Sequence, residues 1–415
     1  MRICVITEYF DPDSHGGTPT VLPNLMRYLA DNYPNLEIDV FASNKGYRNS
    51  AKHAVFKNWD GIQVHRIDTP RSNQSSTLMR FLMGTWFSLR TALELAGRNT
   101  YDFVFLGTNP PSAPLIAKLT PWMRRVPYAY LIHDLYPDVL MRLGILPQRH
   151  PFFRIAKHFQ RQWLKDAKKV IVIGRCMRDH IIDNYDLLPE QIAVITNWSD
   201  PKAIPLLPKC TRFREKHSLS GFLVLYAGNF GKYQNFESIL DAAELLQERE
   251  EEITFVFVGE GAKKDYLIRT TAKKRLNNVQ FFPFVPTIDY PDLLASADVS
   301  LVTLESNMEG VGVPSKFYNI LASGRPTLAI LNPSSEVARV LNEYDCGIRV
   351  DPESPNQIAD ALNKLLYSPS TVLRMGHNAR QAFLKNYTLE IIAEQYIRTF
   401  REVARKVKEP VICTM

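Results

Sequence analysis

The stretch EGVGVPSKFYNILASGRP, Glu309–Pro326, sets two glycines and a proline just ahead of a run with helical periodicity. Gly310 and Gly312 free the backbone, Pro314 suits a first helical position, and Ser315 and Lys316 fall in the first turn. A lysine there opposes the helix macrodipole, which favours anions at an N-terminus. Its place is explained if an anion shares that end, with Gly312, Val313, Pro314 and Ser315 offering backbone and Lys316 a charge. The plain alternative is a solvated lysine on a surface turn. Two further loops carry related signals. Gly228-Asn229-Phe230-Gly231-Lys232 follows the apolar run FLVLYA, and Gly259 and Gly261 follow ITFVFV. Each is weak alone. Three glycine-containing loops, two with a lysine, are what binding a nucleoside diphosphate would require.

The first half offers two more sites. Gly16 and Gly17 precede a helical pattern opening near Thr18-Pro19, so the backbone there can approach a phosphate, or simply turn. The loop is not a GxGxxG fingerprint, which argues against a dinucleotide. HDLYPD, His133 to Asp138, follows the strand-like YAYLI. An imidazole beside a carboxylate can hydrogen-bond a substrate or handle a proton, although most His-Asp pairs are structural.

These loops need elements to hold them. RICVIT, EIDVF, FVFL, YAYLI and VIVI in the first half, and FLVLYAG, ITFVFVG, VQFF, VSLVTL, PTLAIL and GIRV in the second, alternate with helical segments. Such alternation predicts right-handed βαβ units and parallel sheets covered on both faces. Prolines 201, 205 and 208 interrupt regular structure in NWSDPKAIPLLPKC and mark a boundary. The expected fold class is α/β, with two doubly wound Rossmann-like domains facing a cleft. The expected limits are 1–200, 201–385 and a C-terminal helix and tail over 386–415. Open parallel sheets bind ligands at the carboxyl ends of their strands, which is where the motifs lie.

The chain has 415 residues, 45% hydrophobic and 22% charged, as expected of a soluble protein of two domains. Its most apolar stretch, Leu78–Gly97, is broken by Arg80, Arg90 and Glu94, so no transmembrane helix is expected. The N-terminus enters a strand at once, without a signal-peptide pattern. Five scattered cysteines with no CxxC pair predict reduced thiols in a cytoplasm and neither a zinc site nor disulfides. The net charge is +7, and Lys118–Arg178 holds 13 basic against 3 acidic residues. That excess attracts anionic lipid, a polyphosphate acceptor or nucleic acid. Within it, Phe152, Ile155, Phe159 and Trp163 recur at helical spacing, with Arg154, Lys157, Arg161, Lys165 and Lys168 on the other side. Such a helix either packs its apolar face on the sheet or rests on an anionic bilayer.

In this order the motifs resemble those of the retaining glycosyltransferases of family four, in the branch serving bacterial exopolysaccharide and O-antigen synthesis. The likeness runs over nearly the whole chain, through GGTPTVLPNLMRYLA, TNPPSAPLIAKL, IHDLYPD, ITNWSD, YAGNFGKYQNFESILDAA, FVGEGA and GVGVPSKFYNILASGRP. The resemblance implies a B-type fold whose second domain binds a nucleotide sugar and whose last helix, LEIIAEQYIRTFREVARK, crosses back to the first. It implies His133, Lys232 and Glu309 as catalytic residues. Gly16, Gly17, Gly228, Asn229, Gly259, Gly312, Val313, Pro314, Ser315, Lys316 and Asn319 would surround the donor. It further implies no metal or other cofactor, and a polyprenyl-diphosphate-linked saccharide as acceptor. The enzyme would sit peripherally on the inner face of the plasma membrane and bind no nucleic acid. Two departures stand out. The family's first loop carries an arginine that GNFGK lacks, and Asn319 stands where a second, ribose-binding glutamate is usual, with Glu305 competing with Glu309 for the first. The alternatives are a nucleotide-sugar 2-epimerase of the same fold, which needs more acid/base groups than His133 and Asp134, and a basic nucleic-acid-binding or scaffold protein.

Overall fold

The computed structural model of the chain describes residues 1–10, 18–44, 61–70, 77–97, 101–120, 123 and 126–404, with backbone only at 18–20, 77 and 78. Two parallel sheets organise it. The first joins β1 (Arg2–Ile6), β2 (Glu37–Ser43), β3 (Ile62–Ile67), β4 (Phe103–Gly107), β5 (Tyr128–Ile132), β6 (Lys169–Val172) and β7 (Ile192–Val194) in the order 3-2-1-4-5-6-7. The second joins β8 (Phe222–Ala227), β9 (Ile253–Val258), β10 (Val279–Phe282), β11 (Val299–Thr303), β12 (Thr327–Ile330) and β13 (Gly347–Val350) in the order 10-9-8-11-12-13. β4, β5, β8, β11 and β12 are buried at every residue, as parallel strands covered by helices on both faces must be. In each sheet the strand order reverses direction once, between β1 and β4 and between β8 and β11. The crevice at that switch point is where such sheets take ligands.

The strand-like runs of the sequence are present, and β3 and β7 join them. IQVHRI is half-buried and polar, and IAV is only three residues long, so neither stands out by apolar content. PSAPLIAKLTPWM yields a helix of only six residues, Pro114–Leu119. The chain crosses between sheets twice, and the crossings run side by side. The Ser199 amide donates to the Tyr387 carbonyl at 3.1 Å, and the Leu389 amide to the Ser199 carbonyl at 3.2 Å. From there the Leu389–Ala404 helix returns to the first domain, where Phe400 packs 5.1 Å from Phe103 and 5.0 Å from Phe105, ring centre to ring centre. Cys4, Cys176, Cys210 and Cys346 are free thiols. Among the described residues no helix is long and apolar enough to cross a membrane.

Candidate active site between the two sheets

The loops after β8 and β9 lie backbone against backbone. The Gly228 amide donates to Val258 and the Phe230 amide to Glu260, both at 2.9 Å. A Cβ on Gly259 would lie 1.9 Å from the Gly228 oxygen, and one on Gly261 would lie 2.5 Å from the Phe230 oxygen. Both glycines also have φ near +150°, where a side chain is strained. Gly259 therefore acts on the Gly228 loop, holding it flat on its neighbour. Phe230 anchors the same loop in a buried aromatic cluster with Tyr226, Phe236 and Phe257. This leaves Asn229 and Lys232 exposed on the rim.

Lys316 opens the Lys316–Ser323 helix, so Pro314 and Ser315 stand just ahead of it, and Ser315 makes no side-chain cap. The lysine does not extend into solvent. Its Nζ is buried, has no hydrogen-bond partner, and sits 3.5 Å above the centre of the Tyr226 ring. It also lies 2.7 Å from where a Cβ on Gly228 would be, and Gly228 itself has φ +148°, a backbone conformation that favours glycine. Tyr226 uses its hydroxyl as well, donating to the Asn229 carbonyl at 2.7 Å. One aromatic ring thus seats the lysine and ties down the loop above it. Burial pulls the Lys316 ammonium down to about 7. Asn319, one turn further on, hydrogen-bonds Tyr290.

The facing wall belongs to the first domain. His133 and Asp134 follow β5, and the His133 amide donates to Thr108 Oγ1 at 3.2 Å. The Leu135 amide donates to the Val311 carbonyl at 2.9 Å, a direct backbone link from HDLYPD to the GVGVPSK loop. A Cβ on Gly312 would come 3.3 Å from Asp134 Oδ1, and one on Gly310, at φ +77°, would come 2.8 Å from His180 Cβ. Gly310 leaves no room for a side chain where the loop presses against the first domain, and Gly312 sits close against Asp134. His133 Nε2 is shielded from water and has no hydrogen-bond partner. Burial pulls its imidazole down to about 4 and pushes the Asp134 carboxyl up to about 6. At neutral pH His133 is a neutral hydrogen-bonding group.

Of the two candidate glutamates, Glu309 accepts from Asn332 Nδ2 at 3.0 Å, while Arg142 of the first domain grips the carbonyls of Glu309 and Asn307. Glu305 accepts from Lys263 Nζ at 3.0 Å. Gly16 and Gly17 lie outside the described residues. The structure therefore brings together Gly228, Gly312, Lys316, His133 and Asp134, while Lys232 and Asn229 stand at the edge. Sequence reasoning passed over Tyr226, which gave no signal, because a strand tyrosine looks like any core aromatic.

The second domain thus holds a buried, unpartnered ammonium beneath a glycine loop, and the first holds an unpartnered imidazole beside the loop that it meets. Residues 16–198 match the glycosyl transferase 4-like domain, and residues 210–382 match the glycosyl transferases group 1 domain. The chain belongs to the two-domain, B-type glycosyltransferases, and it is a glycosyltransferase. Among relatives, it is 28% identical over 346 residues to the probable glycosyltransferase WbjE of Pseudomonas aeruginosa, covering 82% of this chain and 84% of that one. It is 26% identical to WcaI of Escherichia coli K12, provisionally assigned as a colanic acid biosynthesis glycosyl transferase, covering 79% and 81%. Among solved structures, HepE (Alr3699) of Anabaena, in complex with UDP and glucose, superposes with a TM-score of 0.72 at 16% identity over 96% and 99% of the two chains.

Proposed function

We propose that this glycosyltransferase moves a sugar from a nucleoside diphosphate sugar to a lipid-linked saccharide in bacterial surface polysaccharide synthesis, with retention at the anomeric carbon. The observation that carries the donor assignment is Lys316. An ammonium held in a protein interior without a counter-charge is unfavourable, and a diphosphate at Gly228 and Gly312 would supply that charge. Residues 201–385 would hold the donor and residues 1–200 the acceptor. Lys316 and Lys232, with the amides of Gly312 to Ser315, would stabilise the departing diphosphate without a metal. Neutral His133 would hydrogen-bond the transferred sugar. Attack from the leaving-group face, through an oxocarbenium-like transition state, needs no carboxylate nucleophile of the glycosidase kind. The UDP complex of HepE supports the donor class, and the colanic acid assignment of WcaI supports the polysaccharide setting. The basic excess of Lys118–Arg178 supports a polyprenyl-diphosphate acceptor at the inner membrane face.

A thermal-shift screen with UDP, GDP, ADP and their sugars tests the donor. One nucleotide should raise the melting temperature, because binding favours the native state. No shift with any of them would overturn the donor site. The anomeric proton coupling of the product reads the stereochemistry, and an inverted product would overturn retention.

A further inference from the structure

Two neighbouring helices of the first domain each carry a second apolar face that points outward. On the Thr77–Leu95 helix, Met79, Leu82, Trp86, Leu89 and Leu93 recur at spacings of three and four residues and form one face. That face is open to solvent, from 37% exposure at Met79 to 66% at Leu93. The side packed inward carries Phe87, Ala92 and Leu95 in the core, beside small and hydroxyl residues. Ser88 shares a hydrogen bond with Ser112 at 2.9 Å, Thr91 donates to its own helix, and Gly84 lies against Pro110. The Pro151–Asp166 helix behaves alike. It buries Phe153, Gln160 and Leu164, and leaves Phe152, Ile155 and Phe159 outside at 42–54% exposure. The apolar stripe noted in the sequence therefore does not pack on the sheet. The two outward faces meet where Phe81 and Phe152 stack edge to face, ring centres 5.7 Å apart. Lys118, on the short helix between them in sequence, pairs with Asp166.

A contiguous exposed apolar surface of this kind marks an interaction site. Its rim says with what. Arg80, Arg149, Arg154 and Lys168 are exposed on or beside these two helices, with Arg90 near Glu94 and Lys165 near Asp186, so basic residues outnumber acidic ones and two copies meeting here would oppose a net like charge. An anionic bilayer satisfies both features, taking the apolar side chains below the headgroups and the basic ones at them. We propose that this two-helix face docks the enzyme in the plane of an anionic bilayer, with the Trp86 face as its main apolar anchor. This rests on the reading of a membrane-borne acceptor, and it locates the surface that meets the membrane.

Co-sedimentation with phosphatidylcholine vesicles, with and without phosphatidylglycerol, tests it. The wild type should bind the anionic vesicles and bind the neutral ones weakly. Leu82→Glu with Trp86→Glu, and separately Phe152→Glu with Ile155→Glu, should each lower partitioning about tenfold or more, since acidic groups replace the inserting face. These positions are exposed, so both variants should keep the wild-type melting shift with nucleotide. Anionic vesicles left unbound by the wild type, or bound equally by the variants, would overturn the proposal. So would a wild-type dimer in light scattering that the Leu82/Trp86 variant dissociates. Vesicle binding by a protein that no nucleotide stabilises would leave the docking face standing and overturn the donor site alone.

Discussion

Lys316 illustrates how one residue's environment decides its role. In the unfolded chain it holds its proton up to the ordinary 10.5, whereas in the fold burial pulls it down to about 7. The unfolded state thus binds more protons between those values, so the lysine's penalty is fully present below about 7 and fades as pH rises toward 10.5. A diphosphate at Nζ would restore the charge, so nucleotide binding should take up a proton above neutral pH and weaken as pH rises. Calorimetry in buffers of different ionisation enthalpy reads that proton directly. Lys316→Ala should abolish the uptake and weaken nucleotide binding by roughly 1–3 kcal/mol, the scale of a charged hydrogen bond. Unchanged affinity and proton uptake would refute the assignment. His133→Ala should lose most transfer activity while keeping the melting temperature, because His133 has an unpartnered Nε2 rather than a structural bond to lose. Wild-type turnover in that variant would remove His133 from the mechanism.

At the scale of elements, the loops are shaped by what they press against. Gly228 makes room for Lys316, Gly259 for the Gly228 carbonyl, and Gly310 and Gly312 for the first domain. Gly259→Ala forces a Cβ into a carbonyl oxygen at a φ that L residues avoid, and should destabilise the second domain by about 1–3 kcal/mol. Thermal unfolding checks the stability change, and nucleotide titration should show a weakened donor site, since the Gly228 loop would lift. The outward-facing helices follow another logic. Each buries some apolar residues and leaves a second apolar stripe exposed, so patterning alone does not say which stripe faces inward.

Across the whole molecule, the two domains are held by polar contacts as well as by the returning helix. Arg175 binds the buried Glu336 carboxylate through its own amide at 2.5 Å and its guanidinium at 3.0 Å, and also reaches Glu343. Arg339 reaches back to Asp179 at 2.8 Å, and Arg142 grips the carbonyls of the donor-side loop. Removing Arg175 leaves Glu336 in the interface without its counter-charge. Arg175→Ala should therefore lower stability by about 2 kcal/mol or more. It should also expand the nucleotide-free protein in small-angle scattering. An unchanged melting temperature and radius of gyration would show that the returning Leu389–Ala404 helix suffices to hold the domains.

Most of this architecture was legible in the chain because its signals are local. Apolar runs bounded by glycine loops define buried parallel strands, and the order of strand, loop and helix defines two doubly wound sheets with motifs at their carboxyl ends. β3 escaped notice because a half-buried strand lacks a distinctive apolar run. Lys316 was conspicuous from its position at a helix start. That it lies on the Tyr226 ring under Gly228 depends on residues 90 and 88 positions away, which only the packed domain brings together. The same holds for His133 meeting the Gly312 loop across the cleft, and for the helix stripes that face outward. Periodicity establishes that a helix has an apolar face; which way that face points depends on what neighbouring elements leave uncovered.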